Sequence, residues 1–165
     1  MSLVYLLLGG NTGNRIKYLK SAVEKISDEI GKVIRMSSVY ETEPYGFKAK
    51  KQFINICILV ETNLSPHQVL KVISEIETSL GRKRKTEKYV SRTIDIDVMF
   101  YDDIILNERS LIIPHPEFHR RNFALVPMAE IGRDFIHPVF GKTIGTLLEE
   151  SADRHKVDWF RDPLL

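Results

Sequence analysis

Residues 53–62 read FINICILVET. At strand periodicity Ile54, Ile56, Ile58 and Val60 fall on one face, and Phe53, Asn55, Cys57 and Leu59 on the other. Both faces are mostly apolar, so this strand belongs at the centre of a sheet. The elements around it follow from spacing. Residues 3–8 make a short apolar strand, and GGNTGN turns it into a segment with Ile16, Leu19, Val23, Ile26 and Ile30 at helical intervals, Asn14 as N-cap and Gly31 as stop. KVIRMSSVYET reads as a strand, and EPYGFKAKKQ as a polar, turn-rich loop. After the central strand, LSPHQVLKVISEIETSLG carries Ser65 as N-cap, Pro66 at the first helical position, Gln68 completing a capping box and Gly81 past the end. Its buried stripe is Val69, Val72, Ile73, Ile76 and Leu80.

The basic stretch RKRKTEKYVS leads into the strand SRTIDIDVMFYDD, followed by a hairpin turn at YDDIILNE, a Pro-rich corner and a helix from about Arg121 to Glu130 that contains Pro127. The tail offers a turn around FIHPVFGK, a helix from Thr143 and a closing segment with Trp159. The order β-α-β-β-α-β, with further elements appended, predicts an α+β fold with a ferredoxin-like core, its helices packed on a mainly antiparallel sheet. A flavodoxin-like parallel sheet is the alternative; the strands at about 32–42 and 52–62, joined by a loop and not a helix, weigh against it.

At 165 residues the chain supports one core, so residues 1–165 are expected to form a single domain. A net charge of +2 gives no general electrostatic pull toward nucleic acid or a membrane surface. One cysteine, Cys57, excludes an internal disulfide and suits a reducing cytoplasm. The apolar start lacks a preceding Lys or Arg and ends in Gly-Gly-Asn, which reads as a strand and not a signal peptide. No apolar run approaches the roughly 20 residues needed to cross a bilayer.

The chemistry concentrates in IDIDV. In a strand, Arg92, Ile94, Ile96, Val98 and Phe100 share the core-side face, while Thr93, Asp95, Asp97, Met99 and Tyr101 share the other. Asp95 and Asp97 then project in parallel about 6.6 Å apart. Like charges that close repel unless a cation or a proton relieves them. A solvated sheet face paired with Lys and Arg is one reading; a Mg2+ site holding substrate phosphates is the other. The cations Arg82, Lys83, Arg84, Lys85, Lys88 and Arg92 join a well-capped helix to this strand. Acids for metal beside guanidinium groups for phosphate is the combination phosphoryl transfer needs.

Four stretches, LLLGGNTGNR, SSVYETEPYGF with FINICILVET, RTIDIDVMFYDD and LIIPHPEFHRRNFALVPMAEI, span residues 3 to about 131. In that order they resemble the 6-hydroxymethyl-7,8-dihydropterin pyrophosphokinase family, enzymes of folate biosynthesis that move diphosphate from ATP to a pterin alcohol and release AMP. The resemblance implies that Asp95 and Asp97 hold two Mg2+ ions, and that Arg82 and Arg92 are catalytic arginines of a basic lid. It implies a pterin site of Thr42, Pro44 and Tyr45 in a loop, Asn55 on the ring edge, and Phe53 and Phe123 stacking on the ring. ATP contacts are implied for Glu77, Arg84, Arg92, His115 and Arg121. Departures from the family pattern are Tyr89 in place of a Trp, Gly10 and Asn14 in place of Ser and Asp, and Ser110 and Ile112 in place of polar residues near the nucleotide. GGNTGN lacks the Gly-Lys-Ser/Thr end of a P-loop and reads as a turn near the site.

The expected partners are therefore ATP and the pterin, for a cytoplasmic monomer without nucleic acid or membrane. Two rivals remain: a small RNA-binding module, which the absent RNP1 pattern disfavours, and a two-metal nuclease using the same Asp-x-Asp pair.

Overall fold

The computed structural model describes residues 1–43, 52–81 and 93–164. The chain runs β1 (Ser2–Gly10), α1 (Arg15–Glu29), β2 (Gly31–Met36), β3 (Val39–Thr42), β4 (Phe53–Thr62), α2 (Pro66–Ser79) and β5 (Asp95–Tyr101). It continues through β6 (Leu106–Asn107), β7 (Ile112–Ile113), a 3-10 turn (Phe118–Arg120), α3 (Asn122–Gly132), α4 (Ile144–Glu150) and β8 (Val157–Arg161). The helices start where their caps dictate. The Asn14 side chain accepts from the Lys17 N–H, Ser65 and Gln68 exchange both capping-box bonds, and Thr143 accepts from the Thr146 N–H. Past α2, Gly81 takes a φ of 89°, the left-handed conformation that lets the chain leave a helix.

The main sheet has the order β5-β1-β4-β3-β8, with β2 also on β4, and every pairing in it is antiparallel. The expected central strand is central: β4 pairs along its length with β1, from Ser2↔Thr62 to Gly10↔Ile54, and with β2 and β3 on its other side. One face buries Leu6, Leu8, Ile54, Ile56, Ile58, Ile96 and Val98 against α1 and α2. The opposite face buries Tyr5, Leu7, Cys57, Leu59 and Phe100 against α3 and α4. Each such aliphatic side chain taken fully out of water contributes about 1.5–3 kcal/mol before chain entropy is counted. Among the described residues no helix is long and apolar enough to cross a membrane.

Three local expectations are corrected. Gly9 and Gly10 complete β1 and are not part of a turn. The single strand expected for KVIRMSSVYET is two, because the buried Ser37 and Ser38 interrupt it. There the Ser37 hydroxyl accepts the Cys57 N–H and donates to the Ser38 carbonyl, and the Ser38 N–H and hydroxyl both go to Glu130 on α3. The third concerns β5. The β1 register steps from Leu6↔Val98 to Tyr5↔Phe100, leaving Met99 as the extra residue of a bulge. The bulge reverses the alternation beyond it, so Phe100 points toward α3 and α4 while Tyr101 joins the α1–α2 side and donates to the Leu64 carbonyl.

Candidate active site

The α3–α4 face of the sheet changes character at one end. Across the strands, Asp95 on β5 pairs with Gly9 on β1, Gly9 pairs with Asn55 on β4, and Asn55 pairs with Tyr40 on β3. Residues paired in register share a face, so Asp95 and Asn55 flank Gly9 on the same side of the sheet. Their backbones are two strand spacings, about 10 Å, apart. Asp97 lies two residues along the same face as Asp95, opposite Leu7, and both aspartates are partly exposed while Ile96 between them is buried on the other side. The paired carboxylates thus project as their spacing requires.

Gly9 is the residue that sequence reading missed. A Cβ there would sit 2.2 Å from Asn55 Oδ1 and 3.0 Å from the Ile54 carbonyl oxygen. The Asn55 amide therefore occupies the space above Gly9, which a glycine inside a strand is the available signal for. Asn55 is 6% exposed, and its Nδ2 donates to Thr42 Oγ1 at 3.4 Å. Thr42 is the last residue of β3, not a loop residue as expected, and it pairs with Phe53, which opens β4. Thr42, Phe53 and Asn55 share the site face by alternation.

Behind β5, Glu77 of α2 is 9% exposed and its Oε2 accepts the Ile96 N–H at 2.9 Å. This carboxylate fixes the backbone between the two aspartates from the helix side. On the opposite flank the Ile113–Pro114 peptide is cis, and the His115 N–H donates to the carbonyl of the bulged Met99. The His115 ring stacks on Phe118 at 3.6 Å with an interplanar angle of 4°. Its Nδ1 accepts the Glu117 N–H, which leaves the proton of the neutral ring on Nε2. Burial pushes the His115 pKa down to about 4, reinforced by Arg121 and opposed by Glu117 and Asp95. The ring is thus a neutral Nε2–H donor near neutral pH, within electrostatic range of Asp95.

Arg121 precedes the first residue of α3 and lies 3.7 Å from Glu117, and Phe123 meets Phe118 edge-on at 5.6 Å. The Asn122 N–H between Arg121 and Phe123 donates to Asp153 Oδ2, so the C-terminal segment anchors this end of α3. Burial raises the Asp153 pKa, but the N–H groups of His155 and Asn122 outweigh it and hold the carboxylate below its usual range. Pro44, Tyr45, Arg82, Arg84 and Arg92 lie outside the described residues.

Among the described residues no group of three or more His, Cys, Asp or Glu could hold a metal. Two part-exposed carboxylates on one face form an oxygen donor set too small for a closed structural site. They suit Mg2+, which keeps several positions for water and substrate phosphates.

The fold is an antiparallel α+β sheet layered with helices, and one end of its α3–α4 face carries two acids and an amide. Residues 5–133 match the family described as 7,8-dihydro-6-hydroxymethylpterin-pyrophosphokinase (HPPK), and the chain belongs to that family. It is 37% identical over 152 residues to the 2-amino-4-hydroxy-6-hydroxymethyldihydropteridine pyrophosphokinase of Aquifex aeolicus, covering 92% of this chain and 94% of that one. The Bacillus subtilis protein of the same name is 36% identical over 131 residues, covering 79% and 78%. The folic acid synthesis protein fol1 of Pneumocystis carinii is 43% identical over 150 residues, 91% of this chain but 20% of that protein. In fold the chain is similar to Plasmodium falciparum HPPK-DHPS crystallised with SDX-DHP, with a TM-score of 0.73 at 19% identity. That alignment spans 91% of this chain and 43% of the other.

Proposed function

We propose that this chain transfers diphosphate from ATP to the hydroxymethyl group of 6-hydroxymethyl-7,8-dihydropterin, releasing AMP, as a step of folate biosynthesis. The observation that carries the reading is the register row Asp95, Gly9, Asn55, which sets a carboxylate and a buried amide on opposite sides of a residue with no side chain. It supports one groove with a phosphate end and a pterin end. Residues 1–165 are taken as one domain, with β8 pairing back onto β3.

At the phosphate end, Asp95 and Asp97 would hold Mg2+, two ions by resemblance to the family. Metal bound there supplies neutralisation of phosphate charge. His115 would donate its Nε2–H to a phosphate oxygen, and Arg121 would add positive charge beside it. Arg82, Arg84 and Arg92 are assigned to ATP by resemblance, as is Glu77. At the pterin end, Asn55 offers its amide to the ring edge beside Thr42, with Pro44 and Tyr45 assigned by resemblance. Phe53 and Phe123 stack on the two ring faces and exclude water. The substrate hydroxyl oxygen bonds to the β-phosphorus, the bond from that phosphorus to the oxygen bridging to the α-phosphorus breaks, and the hydroxyl proton leaves to solvent. No side chain forms a covalent intermediate; the chain contributes alignment and charge complementarity. Buried Cys57 stays outside the chemistry, since burial pushes its thiol pKa far up, and it suits the cytoplasmic location of this reading.

The test is incubation with Mg-ATP and the hydroxymethyl-dihydropterin, with nucleotide products separated. AMP in equal amount to the pterin diphosphate is expected; ADP, or no nucleotide consumption, would contradict the reading.

A further inference from the structure

Arg15 is the first residue of α1, where a cation opposes the helix dipole and acidic residues are favoured. Its partners explain the placement. From Nη1 it donates to Glu41 Oε2 at 2.6 Å and to the Gln52 carbonyl at 2.8 Å, and its guanidinium lies 5.2 Å from the centre of the Phe160 ring. The Arg15 and Glu41 side chains are 17% and 27% exposed, so the pair is partly removed from water. A single guanidinium thus joins α1, β3, the residue before β4, and β8.

The consequence lies on the other side of the sheet. Glu41 pairs with Ile54, whose side chain is in the core under α1, so Arg15 acts from the α1 side. Glu41 and Gln52 each immediately precede a residue that alternation turns toward the site, Thr42 and Phe53. The β3–β4 ladder there has three pairs, Tyr40↔Asn55, Glu41↔Ile54 and Thr42↔Phe53, and so little backbone bonding to hold its end together. A shift of about 1 Å at such a point is enough to spoil ligand alignment.

We propose that Arg15 is a positioning residue for the pterin: by clamping Glu41 and Gln52 from behind the sheet, it sets the spacing of Thr42, Phe53 and Asn55 on the binding face. The proposal deepens the functional reading and rests on it. Glu41 is the counter-ion, and Phe160, beyond the residues 5–133 that match the family, sets its ring against the guanidinium.

The test is steady-state kinetics on Arg15→Met, Arg15→Lys and Glu41→Gln, with melting temperature recorded for each. Arg15→Met is expected to raise the KM for the pterin about tenfold while the KM for ATP stays within about twofold. Glu41→Gln, which keeps an acceptor without charge, is expected to raise the pterin KM about threefold, and Arg15→Lys to recover part of the Arg15→Met loss. Equal rises in both KM values, or an unchanged pterin KM in a variant that melts as the wild type does, would overturn the proposal. Glu41→Gln carries the test alone if Arg15→Met does not fold. Wild-type protein that forms no AMP would instead remove the functional reading, so the two failures are distinct.

Discussion

At the scale of the residue, the site depends on what a strand leaves out as much as on what it presents. Gly9 is required because Asn55 Oδ1 occupies the position of its missing Cβ. Gly9→Ala is expected to displace the amide, raise the pterin KM at least about tenfold and destabilise the fold by about 1–3 kcal/mol, as read from a urea titration with paired kinetics. An Ala variant with wild-type pterin affinity would contradict this assignment. His115 and His137 make a second, independent point. Burial lowers both pKa values to about 4, with His137 also bonded at Nδ1 by the Val139 and Phe140 N–H groups. Since the unfolded chain takes up these protons near pH 6.5 and the folded one only near 4, their contribution is complete above about 6.5 and is lost as pH falls toward 4. The ring resonances of both are therefore expected to hold their neutral positions down to pH 5 in an NMR titration; a midpoint near 6.5 would refute the burial argument. The placement of Asp95 and Asp97 on one face of β5, and of Asn55 among the apolar residues of β4, was legible in the sequence, because a charge or an amide on an apolar strand stands out against period-two alternation. Gly9 was not, because a residue without a side chain announces only that something else comes close.

At the scale of the element, both strands that carry the proposed chemistry are fixed from the α1–α2 side. Arg15 ties β3 to the start of β4, and Glu77 ties α2 to β5 through the Ile96 N–H. Glu77→Ala leaves that buried N–H without its acceptor and is expected to cost about 1–3 kcal/mol and to lower kcat, while Glu77→Gln, which can still accept, should retain most of the stability. Equal stability of the two variants would show that the bond does not matter. The capped helices were readable because capping is local, whereas the bulge at Met99 is not: it follows from how β5 meets β1, and nothing in VMFY marks it. The Ser37–Ser38 interruption was hidden for the same reason, since Glu130, which receives the Ser38 N–H and hydroxyl as well as the Tyr40 hydroxyl, lies some ninety residues away in the chain.

At the scale of the whole molecule, the sheet carries α1 and α2 on one face and α3 and α4 on the other. The order β5-β1-β4-β3 puts the strand with two acids and the strand with the amide on either side of β1, although roughly forty residues separate Asp95 from Asn55 in sequence. The antiparallel α+β layering was readable from the β-α-β-β-α-β connectivity, without the order of the strands. The appended C-terminal part was less so, although it anchors α3 through Asp153 and meets Arg15 through the Phe160 ring. The central claim is that Asp95 and Asp97 form the metal-holding end of this groove, and AMP formation by Asp97→Asn at saturating Mg-ATP and pterin, with its melting curve, tests it most directly. The expected result is turnover reduced by about a thousandfold or more in a variant that still melts cooperatively, because the substitution removes a proposed metal ligand while keeping the size of the side chain. Turnover close to that of the wild type would contradict it.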